Sequence, residues 1–341
     1  LGVAPLRRND QESAVFHEKI QTERIDPLTG SRDAVVVATR DRHGKPLRNV
    51  CWTQSGFIGV DPIPTTNVEE FYRKEYRQDY KGSASPQPRH VLRAARVALD
   101  RFRQIARIFP AIRQPKLRTL DAGASSGEFV FLMQKLGHAA EGIEAHEGYA
   151  AHARQTLGLN VTNGVFSDFD AGSKRFELIT MFHVLEHLEF PVNELERLSS
   201  ALTDEGIFVI EVPNILYRGM RFQHKWHVAH LNGFARRTLE ATALRAGLHP
   251  VSCAEVGDGG NLMGVFRKGE KMSAEAVSQR LEGAGPELEG LAANSDADYF
   301  SRPSTWWKVM PKMVSQIEER WRASRFSHPS EILNSVFSNP R

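Results

Sequence analysis

From position 117 to 267 the sequence alternates between short apolar runs and stretches of helical periodicity. Strand signals read at 118–121, 139–143, 177–181 and 207–212, and again around 250–255 and 261–267. Helical signals fall at 127–136, 148–157, 192–201 and 237–246. Such alternation sets successive strands side by side in parallel, because each helix carries the chain back across a face of the sheet. It predicts an α/β chain with a doubly wound, mostly parallel sheet. The last two strands have no helix between them and predict a terminal antiparallel hairpin.

The most informative turn in this region is Asp121-Ala-Gly123-Ala-Ser125-Ser-Gly127, where a strand gives way to a helix. Glycines there allow a tight turn and close approach of a ligand to the backbone, and the helix start exposes unpaired N–H donors. A dinucleotide fold would place G-x-G-x-x-G at this point to hold a pyrophosphate. Asp121, two residues before the first glycine, would repel a pyrophosphate but suits an ammonium group.

On these residues the chain resembles the class I S-adenosylmethionine-dependent methyltransferases, whose first strand ends in D-x-G-x-G-x-G. Asp121, Gly123 and Gly127 match that pattern, and Ser125 replaces the middle glycine. The resemblance implies a Rossmann-like, seven-stranded sheet and S-adenosyl-L-methionine as cofactor, leaving as S-adenosyl-L-homocysteine. It implies that the turn packs against the methionine portion and that Asp121 engages its amino group. Glu144, at the end of the second strand, takes the place of the acid that binds both ribose hydroxyls, a task suited to a carboxylate that accepts two bonds. Phe166 and Asp168 fall where the family builds its adenine pocket; each reads equally well as an ordinary loop residue.

The segment 176–188 contains His183-Val-Leu-Glu186-His187, similar to the fourth strand and following turn of the same family, with Glu177 in place of the usual Asp. The letters also fit the H-x-x-E-H pattern of one metalloprotease group. That pattern needs the pair within a helix and a third ligand downstream, whereas this segment leaves a strand and ends at Pro191. The methyltransferase resemblance accounts for it with no metal. His183 is expected to face the cofactor, and His183 or His187 to take a proton from a hydroxyl nucleophile, since imidazole titrates near neutrality.

Further on, His224, His227 and His230 recur at three-residue steps among Phe222, Trp226 and Phe234. The family carries a similar H-x-x-x-F segment on its substrate side, so a lid is expected there rather than zinc.

Ahead of the sheet, 34–38, a turn at 41–44 and 47–60 predict a β-hairpin, with a linker at 82–88. Asp26-Pro-Leu-Thr-Gly30 and Trp52-Thr-Gln-Ser-Gly56 keep the outline of the zinc ribbon found in sugar C-methyltransferase relatives, without its cysteines. If the outline holds, the ribbon is metal-free and packs through Trp52 and Phe57. The organisation expected is an irregular extension (1–33), the hairpin region and linker (34–90), the methyltransferase domain (91–268) and a C-terminal helical extension (269–341). In the last, Trp306, Met310, Met313, Ile317 and Trp321 form a stripe suited to core packing.

Charge is unevenly spread. Residues 72–118 hold thirteen Lys/Arg against three acids, a local +10, within a 341-residue chain of formal charge +3. Part of this run is a helix over 90–109 with Arg93, Arg96, Arg103 and Arg107 on one face, either a solvated face or a rim that attracts anions. Aromatics are sparse there and the rest of the chain is acidic. The acceptor expected is therefore a small molecule or carrier-linked sugar, anionic, methylated on a hydroxyl or an activated carbon. The rivals are a nucleic-acid methyltransferase or binder using 72–118, and a catalytically idle scaffold. With two cysteines, no apolar run of the ~20 residues needed to span a bilayer and no signal-like start, a cytoplasmic location is expected.

Overall fold

The computed structural model describes residues 18–65, 86–294, 296–302 and 318–340. The N-terminal part is antiparallel: β1 (Lys19–Gln21), β2 (Asp33–Arg40), β3 (Pro46–Trp52) and β4 (Ile58–Val60) pair in sequence order. The expected hairpin is β2 and β3. Its turn is held by Asp41, whose Oδ1 accepts from the His43 and Lys45 amides at 2.8 Å each. The two ribbon-like turns meet through side chains. Asp26 accepts from the Thr29 hydroxyl at 2.5 Å and is hydrogen-bonded to Ser55. Cys51 is buried on β3, and burial pushes its thiol far up.

Helix α1 (Pro88–Ile108) starts on a proline, whose missing N–H costs nothing in a first turn, and stops before Pro110. Its buried face is Val91, Leu92, Ala95, Leu99, Phe102, Ile105 and Ala106. Then come β5 (Arg118–Ala122), α2 (Glu128–Lys135), β6 (Ala139–Glu144), α3 (Glu147–Ala151), β7 (Val161–Asn163) and β8 (Phe176–Phe182). After these follow α4 (Pro191–Ser200), β9 (Leu202–Pro213), β10 (Asn232–Gly233), α5 (Arg236–Arg245), β11 (Leu248–Val256) and β12 (Asn261–Lys268).

Seven of these strands form one sheet in the order β11-β12-β9-β8-β5-β6-β7. All pairings among β5 to β9 are parallel, and β12 runs antiparallel to both β9 and β11. The doubly wound sheet and its terminal hairpin are as expected. β7, only three residues long, has no signal in the sequence. Apolar clusters lie on both faces, one with α1 and α2, the other with α4 and α5. Chain order reverses between β5 and β8, and crevices at such a reversal are where open α/β sheets bind ligands.

The small sheet is not a separate appendage. Its fifth strand, β10, comes from the far side of the sequence and pairs with β4. Trp52 and Phe57 belong to the same buried cluster as Phe234 and Phe208, with Phe57 set edge-on to Phe234 at 5.6 Å.

The C-terminal part holds α6 (Ala274–Leu281), α7 (Gly285–Ala292), α8 (Asp296–Ser301) and α9 (Pro329–Val336). Ile332, Leu333 and Phe337 are buried in the cluster that contains the apolar face of α1. The basic face of α1 is partly matched by this extension: Arg93 pairs with Glu319 at 2.5 Å and Arg96 lies 4.0 Å from Glu318. Of the predicted apolar stripe, Trp306, Met310, Met313 and Ile317 lie outside the described residues. Trp321 is not core: it is 58% exposed, with the Arg325 guanidinium over its ring.

Candidate active site

The carboxyl ends of β5, β6 and β8, with helix α1, frame a cavity of about 980 Å³. Its lining brings together Asp121, Gly123, Ser125, Glu144, Phe166, His183, Glu186, His187 and His230. Asp168 is exposed in the 3-10 turn after β7 and does not line it.

Asp121 ends β5 and is 6% exposed. Parallel pairing puts it opposite Thr180 of β8, and the Thr180 hydroxyl donates to Asp121 Oδ1 at 2.6 Å. Burial raises the Asp121 carboxyl to about 6, against the pull of Thr180 and the Arg101 charge. Nearby Glu128 and Glu144 add to the rise. This is a carboxylate short of positive charge, which an ammonium group would supply.

The turn that follows depends on left-handed backbone. Gly123 has φ +87 and a Cβ there would meet Val184 Cγ2 at 2.3 Å; Gly127 has φ +91 and would meet Leu159 at 2.4 Å. Ser125 adopts φ +52, so the replaced glycine keeps its glycine-like conformation with a side chain present. The Gly123 and Ala124 amides both donate to the Ile143 carbonyl at 2.8 Å, tying the turn to β6. Glu144, buried at the end of β6, accepts from the Ser125 amide at 2.8 Å and from the His146 amide at 2.9 Å. Both its oxygens are thus oriented by backbone.

β8 ends in a strained corner. His183 has φ +55, a costly conformation for a residue with a side chain, and Leu185–His187 forms a 3-10 turn. The His183 ring lies between two carboxylates: Nδ1 is 3.4 Å from Glu186 Oε1 and Nε2 is 3.3 Å from Glu211 Oε1. Burial disfavours the charged imidazole, but Glu186 and Glu211 outweigh it and raise His183 to about 9. The two carboxylates thus favour the charged form of the ring.

Glu211, Arg101 and Asn261 complete this network and were not singled out in the sequence. Arg101 Nε donates to Glu211 Oε2 at 2.6 Å, and Asn261 Nδ2 donates to Glu211 Oε1 at 2.8 Å. Despite burial, His183 and Arg101 hold the Glu211 carboxyl down at about 2. The available signal was a glutamate inside the apolar run of strand β9, a place where charge survives only if paired.

The histidine-rich segment after β9 folds over the same end of the sheet. Its three histidines do not converge: His224 is exposed, and the ring of His230 sits 5.0 Å from those of both His227 and His187. Among the described residues the group able to hold a metal ion is Glu186, His187 and His230. Burial, reinforced by the neighbouring His187, lowers His230 to about 3. The segment is tied to the HVLEH turn at two points. His187 Nδ1 is 2.8 Å from the Ala229 carbonyl, and Asn232 Nδ2 donates to the Leu188 carbonyl at 2.7 Å.

Arg24 secures the other side of the segment. Its guanidinium donates to the carbonyls of Val60 at 2.8 Å and Leu231 at 3.0 Å, and to Asn232 Oδ1 at 3.0 Å. Burial lowers this guanidinium to about 10 in spite of Asp61 and Glu189 nearby.

A family model described as "Methyltransferase domain" matches residues 91–252. No curated protein matches the chain at a significant level. Among solved structures, the chain is similar to a TehB-like SAM-dependent methyltransferase from Corynebacterium glutamicum: 21% identity, 51% of this chain, 98% of that one, TM-score 0.39. It is also similar to the CcbJ methyltransferase from Streptomyces caelestis, at 15% identity over 60% of this chain and 97% of that one, with TM-score 0.42. A third likeness is to magnesium protoporphyrin IX methyltransferase from Synechocystis, solved with bound SAM, at 11% identity over 60% and 99% with TM-score 0.45. The glycine turn, a buried acid before it and a buried acid on the next strand fit the cofactor of that family. The match to the methyltransferase domain model thus covers residues 91–252, the part of the chain that holds the glycine turn, the HVLEH corner and most of the seven-stranded sheet.

Proposed function

We propose that the protein transfers a methyl group from S-adenosylmethionine to a hydroxyl or activated carbon of a small anionic molecule, such as a carrier-linked sugar. Asp121 would hold the amino group, Glu144 the ribose hydroxyls, the 123–127 turn the methionine chain, and Phe166 the adenine. The cofactor supplies a methyl carbon already activated by an adjacent sulfonium. The protein's task is to hold the acceptor in line with it, exclude water and receive a proton.

The observation that carries this reading is the shared cavity. At about 980 Å³ it stands at the top of the ~300–1,000 Å³ range of small-molecule sites, enough for a cofactor and an acceptor together. Glu186, His187 and His230 also line it, and there the acceptor's nucleophile would rest and its proton would pass. His183, with a carboxylate at each ring nitrogen, is assigned the position of a fixed cation that orients Glu186 and Glu211.

Arg89 and Arg93 of α1 also line the cavity. Arg89 Nε is buried there without a hydrogen-bond partner, a donor suited to a phosphate or carboxylate on the acceptor. The nucleic-acid alternative is weakened by ion pairing within the basic run. Arg93, Arg101, Arg103 and Arg118 each face a carboxylate, Arg101 and Arg118 at 2.6 and 2.7 Å.

The test is calorimetric titration with S-adenosylmethionine and S-adenosylhomocysteine. A panel of phosphorylated, carboxylated and neutral hydroxyl compounds is then assayed for transfer of labelled methyl. Failure of the cofactor to bind, or binding undiminished in Asp121→Ala and Glu144→Ala, would overturn the assignment. Transfer to neutral acceptors alone would overturn the anionic part.

A further inference from the structure

The acceptor wall of the cavity contains a cluster that methyl transfer does not by itself require. Glu186, His187 and His230 each offer a ligand atom, and the three atoms lie within 4.8 Å of one another. Glu186 and His187 come from the turn after β8, and His230 comes from the histidine-rich segment, 43 residues further along than His187. His183, the first histidine of the H-x-x-E-H pattern, is not one of the three.

We infer that Glu186, His187 and His230 form a divalent-cation site facing the acceptor, with the remaining coordination position open to an acceptor oxygen. This rests on the proposed reading of the cavity as the acceptor site. Glu186 is 2% exposed, and its Oε2 is buried without a hydrogen-bond partner. Leaving a buried carboxylate oxygen unpaired costs free energy that a bound cation would recover. Glu186 Oε1 is already engaged, 3.4 Å from His183 Nδ1, so the oxygen left over is the one offered to a ligand.

The histidine geometry supports the same conclusion. His187 Nδ1 is directed at the Ala229 carbonyl at 2.8 Å, an outer contact of the kind that orients metal-bound imidazoles and leaves Nε2 as the ligating atom. The three ligand atoms lie within 4.8 Å of one another, against the roughly 3.4 Å between ligands of one tetrahedral ion held at about 2.0–2.1 Å, so closure requires side-chain rotation of up to about 1.5 Å. Two imidazoles and one carboxylate with an open position suit zinc, manganese or cobalt better than magnesium or calcium, which favour all-oxygen sets.

The experiment uses the untagged full chain, stripped with chelator and titrated with Zn²⁺ and Mn²⁺ by calorimetry, and with Co²⁺ by visible absorption. One cation per chain is expected, with a Co²⁺ spectrum typical of nitrogen and oxygen ligands. The cation affinity should fall roughly 10- to 100-fold in Glu186→Gln and in His230→Gln, the loss seen when ligand-shell contacts are disturbed. S-adenosylmethionine is titrated in parallel. Absence of a cation-dependent signal in the wild-type chain, or cation binding that survives both substitutions, overturns the site. S-adenosylmethionine binding with no cation binding leaves the methyltransferase reading standing and removes only the cation. Cation binding with no cofactor binding does the reverse. Because the Co²⁺ spectrum is read on the wild-type protein, a variant that misfolds does not decide the outcome.

Discussion

The Ser125 amide donates to Glu144 Oε2 across a gap of 2.8 Å, so the acid at the end of β6 is pinned to the glycine turn of β5. The residue replacing the family's middle glycine therefore sets the orientation of the carboxylate assigned to the ribose. In Glu144→Gln the amide group loses both charge and one acceptor. Cofactor affinity should fall roughly 10- to 100-fold, the equivalent of about 1.5–3 kcal/mol for hydrogen bonds to a charged group. Calorimetry checks this directly, and an unchanged Kd would remove Glu144 from the cofactor site.

Asp121 predicts a pH dependence. Burial lifts its carboxyl to about 6, above the ordinary aspartate value, so the carboxylate form dominates only above that pH. A cofactor ammonium group selects the carboxylate. Affinity should weaken as pH falls from neutrality through about 6, approaching a tenfold loss per unit below it. Titrations across that range test the sign; tighter binding in acid would contradict the assignment. Thr180→Val, which removes the hydroxyl that favours the charged form, should move the fall to higher pH.

Gly123→Ala should damage both fold and site. The new methyl would stand 2.3 Å from Val184 Cγ2, and the residue would have to hold φ +87. The backbone conformation alone costs about 1–2 kcal/mol for a residue with a side chain. A lower melting temperature together with weaker cofactor binding is expected by thermal shift and calorimetry.

The fate of local and distant signals differs. Strand and helix alternation, the glycine turn and the HVLEH corner all follow from neighbours in sequence, and they place Asp121, Gly123, Glu144 and His183 at one cavity. What escaped notice depends on pairing over distance. β7 is too short to show a period, and Glu211 meets Arg101 across 110 residues. His230 joins Glu186 only because the segment folds over the turn. The basic face of α1 read as a solvated or substrate-facing surface. Its match to Glu318 and Glu319 required knowing where the C-terminal extension packs.

Arg24→Met should separate acceptor recognition from cofactor binding. The substitution leaves the Val60 and Leu231 carbonyls and Asn232 Oδ1 without their shared donor. The Leu231 carbonyl keeps the Val60 amide at 3.0 Å, but losing the donor to the Val60 carbonyl and Asn232 Oδ1 costs about 1–3 kcal/mol, so the melting temperature should drop. The effect at the site should appear in kcat/KM for the acceptor, since Asn232 holds the turn that carries His187. The Kd for S-adenosylmethionine should stay as in the wild type; a parallel loss of both would show that Arg24 supports the whole fold instead.

The pairing of Asn232–Gly233 with β4 has a consequence for solubility as well. A short antiparallel sheet ends in strands whose outward N–H and C=O groups can recruit another chain. Here the histidine-rich segment that lines the cavity through His230 also covers the border of β4. Remodelling it for a new substrate would therefore open a sticky edge unless the replacement restored the same two-residue bridge.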